Sequence, residues 1–142
     1  MSFAIAVTAP SVPFALRVEC PPGACDCQRD ALLATPGADM RILRLTREEE
    51  KKLVQRLEQV RSLEELRHLQ GRMREQLGIE WHIAPGPHEV RTLRGITIEL
   101  LRQPGLCRKT RQALPAAIRR SMERTPAIAF ALLDAHDLLG QG

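Results

Sequence analysis

Four cysteines carry the most reactive side chains in this 142-residue chain, and three of them fall between positions 20 and 27. That stretch reads Cys20-Pro21-Pro22-Gly23-Ala24-Cys25-Asp26-Cys27. The fourth, Cys107, follows a second Pro-Gly pair, Pro104-Gly105. A thiolate is both a soft metal ligand and a nucleophile, so clustered thiols point to metal binding or disulfide exchange more strongly than scattered ones. The Pro-Pro-Gly turn is able to fold Cys20 back toward Cys25. Cys27 falls at a predicted helix start, where free N–H groups and the helix dipole favour the thiolate.

Three chemistries compete for this loop. In the first, Cys20, Cys25 and Cys27 hold zinc or an iron–sulfur cluster, with a distant fourth ligand. Cys107 is one choice for that ligand; His82 and His88, on either side of Pro85-Gly86, are the others. Zinc takes four N or S ligands in a tetrahedron, and iron–sulfur clusters usually take four cysteines. The C-x4-C-x-C spacing matches neither the paired C-x2-C knuckles of zinc ribbons nor the C-x4-C-x2-C of plant-type ferredoxins. In the second, Cys25 and Cys27, or Cys20 and Cys25, exchange a disulfide, although the chain has no C-x-x-C. In the third, the cysteines are small apolar fillers at a strand–helix junction, which is the commonest fate of a reduced cysteine.

A basic segment is the other feature. Residues 91–124 hold nine Lys or Arg against two Glu, whereas the whole chain is only +4. Arg108, Lys109, Arg111, Arg119 and Arg120 are the residues that would meet nucleic-acid phosphates or an acidic protein partner. With no Tyr, one Trp and three Phe, stacking on single-stranded bases is disfavoured. The competing account is a solvated helical face. No Ser/His/Asp order, Gly-rich phosphate loop or H-E-x-x-H is present, so nothing names a reaction. His68 reads as a mid-helix residue at the edge of the core and His136 as a helix C-terminal one.

The elements that must position these residues follow from pattern. Residues 3–8 form a short strand candidate. Phe14, Leu16 and Val18 alternate with Ala15, Arg17 and Glu19, which predicts a half-buried strand ending at the cysteine loop. Asp26 is placed to cap a helix over 27–34, and residues 40–45 form a third strand candidate. Thr46 and Ser62 each open a capping box, Thr46-x-x-Glu49 and Ser62-x-x-Glu65, so two helices follow, the second running over 63–77 and stopped by Gly78. A fourth strand over 79–84 carries Trp81. A helix over about 88–102 is read from Val90, Leu93, Ile96 and Leu100. Residues 106–124 are helical in composition but interrupted by Pro115. A last helix starts after Thr125 with Pro126 in its first turn and ends at Gly140.

The expectation is one α+β domain over residues 1–142. Three to four short strands form a small N-terminal sheet, four to five helices pack it, and the C-terminal half is mostly helical. The longest apolar runs fall well short of the roughly 20 residues that cross a bilayer. The apolar start carries no cation before Arg17, unlike a secretory signal. A cytoplasmic protein with reduced thiols is therefore expected.

Overall fold

A computed structural model describes Arg17, Cys20, residues 25–85 and residues 95–140, with side chains through 135. The order is helix α1 (Arg29–Ala34), a 3-10 turn (Arg41–Arg44), helices α2 (Arg47–Glu58) and α3 (Leu63–Leu77), strands β1 (Trp81–Pro85) and β2 (Ile96–Leu100), then helices α4 (Arg108–Arg124) and α5 (Pro126–Gly140). Mixed α+β character is as expected; among the described residues the sheet is smaller and lies at 81–100, not in the N-terminal half, whose described elements are helical. Among the described residues it has two antiparallel strands, with Trp81 opposite Leu100, Ile83 opposite Ile98 and Pro85 opposite Ile96. These pairs turn toward the core, while His82, Glu99 and Thr97 face water. One face wet and one dry is the alternation that an antiparallel pair permits.

Three sequence expectations are corrected. Residues 40–45 are not a strand but contain the 3-10 turn, in which the neighbours Ile42 and Leu43 are both buried. A half-buried strand would have sent one of them to solvent. The helix expected over 88–102 gives way to β2 at its C-terminal end. Ile-Thr-Ile-Glu-Leu is β-branched and alternating, and pairing with β1 decides between the two periods. Helix α4 runs unbroken through Pro115. An interior proline removes one backbone hydrogen bond. Here Leu114, Ala117, Ile118, Ser121 and Met122 flank it, all buried, and that packing holds the helix together. The strand over 3–8 lies outside the described residues, as does all of 14–19 except Arg17.

Both side-chain caps form, and one Glu also turns back to the backbone before its cap. Thr46 Oγ1 accepts from the Glu49 N–H at 3.3 Å and Ser62 Oγ from the Glu65 N–H at 3.0 Å, while Glu65 Oε1 accepts from the Arg61 N–H at 2.7 Å. Gly78 ends α3 at φ 72°, a left-handed conformation natural to glycine. Helix α4 is central: α2 packs along it, α5 packs on its end, and β2 lies against it, while α5 also covers β1. Leu57, Leu66, Leu114 and Ile118 are fully buried in the shared core. Trp81 is buried beneath the sheet, and its Nε1 donates to Met73 Sδ at 3.4 Å. Among the described residues no helix is long and apolar enough to cross a membrane.

Candidate metal centre

The loop from β2 into α4 meets the cysteine loop at the N-terminal end of α4. The Gly105 N–H donates to the Cys27 carbonyl at 2.6 Å, so the two loops are joined through their backbones. Two residues further on, Cys107 is the N-cap of α4, with an extended backbone and its carbonyl accepting from the Arg111 N–H at 2.9 Å. Asp26 ties the same surfaces from outside. Arg111 donates to its Oδ1 at 2.6 Å, and Arg102 stands 3.8 Å from its Oδ2. Asp26 therefore does not cap α1, as the sequence had led us to expect; Gln28, at φ 60°, precedes that helix and no side chain caps it.

This docking gathers all four sulfurs. Cys20 Sγ lies 3.2 Å from Cys27 Sγ and 3.9 Å from Cys107 Sγ, and with Cys25 every pair falls within 4.8 Å. Cys27 and Cys107 are buried; Cys20 and Cys25 are half-buried. Of the distant ligands that the sequence offered, the structure places Cys107 beside the three loop cysteines. His82 lies instead on the wet face of β1, opposite Glu99. His88 lies outside the described residues.

The electrostatics of the four thiols differ. Burial raises Cys20, and its hydrogen bond with Cys27 adds to this, bringing it up to about 11. Burial also dominates at Cys107 and pushes it far up, with the positive charge of Arg17 acting in the opposite sense. At Cys25 burial is outweighed. The backbone N–H groups of Arg108 and Cys27, with the Cys27 and Cys107 thiols, favour its thiolate and bring it down to about 7. The Arg108 N–H belongs to the first turn of α4, so the free donors of a helix N-terminus point at this sulfur. Outside the cluster, the Arg111 guanidinium holds the Asp26 carboxyl below the usual carboxylate range.

The basic segment is partly consumed by the protein itself. Arg111 is spent on Asp26, Arg120 pairs with Glu58, and Arg119 donates to the Ile96 carbonyl at 3.0 Å. Arg108 and Lys109 stand exposed on the first turn of α4, beside the sulfur cluster. Sequence pattern had placed Arg17 on the polar side of a strand, yet it is only 9 % exposed. The importance of Gly105 was also hidden, although its place two residues before Cys107 was a usable signal.

Comparison with known protein families, characterised proteins and solved structures finds no match to this chain.

Proposed function

We propose that this chain is a small zinc protein in which Cys20, Cys25, Cys27 and Cys107 hold one ion. The observation that carries this reading is the convergence of four sulfurs from segments some 80 positions apart within 4.8 Å of one another. Four thiolates around a single zinc at about 2.3 Å stand roughly 3.8 Å from each other in a tetrahedron. The 3.2 and 3.9 Å separations bracket that value. A four-iron cluster takes one thiolate on each iron and needs its sulfurs further apart than ligands sharing one ion, which favours zinc over iron–sulfur. Four protein ligands leave no position for water or substrate, so the site is structural rather than catalytic. Its work is to staple the segment carrying Cys20 to Cys27 onto the start of α4.

Protein purified anaerobically under reducing conditions is expected to carry one zinc per chain. Its four thiols should resist a thiol reagent until a strong chelator is added. Metal-free protein with all four thiols titrating at once would sink the reading.

A second reading, contact with nucleic acid through the basic segment, draws support from Arg108 and Lys109, exposed together with Arg102 on one flank of the centre. Phosphate contacts release counterions, so binding of this kind weakens steeply with salt. Titrating duplex DNA and RNA between roughly 50 and 200 mM salt tests it. On this reading the Arg108→Ala, Lys109→Ala double variant binds more weakly with a shallower salt slope; affinity indifferent to salt removes it.

A further inference from the structure

A buried guanidinium stands beside the cluster. Arg17 is nine-tenths buried, its backbone N–H donates to the Leu43 carbonyl at 2.6 Å, and its Nη2 donates to the Gly105 carbonyl. Gly105 donates to the Cys27 carbonyl and stands two residues before Cys107, so the Arg17 charge is held on the loop that docks these two cysteines together. Its Nε is buried without a hydrogen-bond partner, and no described carboxylate pairs with it. An unpaired cation removed from water costs several kcal/mol. A residue in that position needs a negative charge nearby, and the described acids do not supply one: Asp26 is occupied by Arg111 and Arg102.

The thiols supply it once they are thiolates. Four thiolates carry four negative charges and a divalent ion returns two, leaving a partly buried dianion. The α4 N-terminus meets that charge at Cys25 through the Arg108 N–H. On the side of Cys107 the cation at hand is Arg17, held on the Gly105 carbonyl two residues before it. Four neutral thiols would leave Arg17 uncompensated among the described residues, and a dianionic metal site and a buried cation each offset the cost of the other.

We propose that Arg17 is the counter-ion of the metal centre, a positioning residue that tunes the site for a divalent ion on four thiolates. This rests on the metal reading above. The closest analogy in general physical terms is the outer-shell partner of a metal ligand, whose loss typically weakens affinity by about 10–100-fold.

The test compares full-length wild type with Arg17→Gln, which deletes the charge, and Arg17→Lys, which keeps it. Zinc affinity is measured by competition with a chromophoric chelator. Arg17→Gln is expected to bind about 10–100-fold more weakly, with Arg17→Lys close to wild type. A second readout loads the site with iron and measures its one-electron potential at an electrode. Fe(II) on four thiolates carries one more negative charge than Fe(III), so losing the cation should drive the potential negative, and lysine should restore it. A role in packing alone would move neither the potential nor the ranking of Lys above Gln.

Wild type that takes up no metal would end the metal reading and this inference together. Wild type that binds zinc while Arg17→Gln binds as tightly, at an unchanged iron potential, would end only the inference. If Arg17→Gln fails to fold, Arg17→Lys still decides: wild-type affinity and potential support the counter-ion, and loss of both assigns Arg17 to its guanidinium hydrogen bond with Gly105 instead.

Discussion

On the proposed zinc reading, Cys107→Ser is expected to abolish stoichiometric zinc binding and to lower the melting temperature of the metal-bound protein by well over ten degrees. Cys107 is the only one of the four clustered cysteines that does not belong to the 20–27 loop. Without it, three thiolates bind an ion within their own segment and no longer anchor that segment to α4. Apparent binding free energies for structural zinc run to about 10–16 kcal/mol at neutral pH, and binding to the folded state alone is folding free energy. Losing one of four ligands forfeits a share of several kcal/mol, and a shift of 1 kcal/mol moves the melting point of a domain this size by about 3–5 °C. The metal-free comparison separates this from packing. Cys107 is only 2 % exposed, so a serine hydroxyl there has its own cost. With excess chelator that cost is all that remains, and wild type and variant should melt within a few degrees of each other. A gap as wide in chelator as with zinc would make Cys107 an apolar filler and nothing more.

What the sequence made legible was local. The caps at Thr46 and Ser62 satisfy orphan N–H groups three residues on, so both the start of α2 and the full run of α3 could be read from side-chain order alone. The cysteines of the 20–27 loop advertise themselves by spacing. What stayed hidden depends on partners distant along the chain. Ile96 and Leu100 fit a helical stripe as well as a strand, and only Trp81 and Pro85 across the ladder choose the strand. Pro115 carries a local penalty that the buried side chains around it override. Cys107 was one of three possible fourth ligands, and the Gly105–Cys27 backbone bond is what brings it beside the loop cysteines. Arg17 was misplaced for the same reason. Its period-two pattern assigned it to solvent, while the loop before α4, nearly 90 residues later, closes over it.

Among the described glycines, Gly105→Ala is expected to be the most disruptive. Gly105 is buried at φ 90°, a backbone conformation that costs a residue with a side chain about 1–2 kcal/mol. An added Cβ would stand 2.5 Å from Ile42 Cγ2 and 2.9 Å from Leu32 Cδ2, closer than carbons pack. Ile42 is 1 % exposed and Leu32 6 %, so neither can retreat into solvent, and overpacking of this kind costs about 1–3 kcal/mol more. The expected loss is therefore about 2–5 kcal/mol in the metal-free chain. The backbone also carries consequences for the centre. Gly105 donates to Cys27, accepts from Arg17 and leads into Cys107 two residues later, so the shift that relieves the clash pulls one ligand away from the others. Zinc affinity should fall along with stability. Gly37→Ala is the control, because Gly37 has φ 75° but an added Cβ there meets nothing within 4 Å. It bears the conformational cost of about 1–2 kcal/mol alone and leaves zinc affinity as in wild type. Denaturant unfolding of both variants, with and without zinc, reads the difference; equal midpoints and equal zinc affinities would mean that the loop at Gly105 does not hold the centre together.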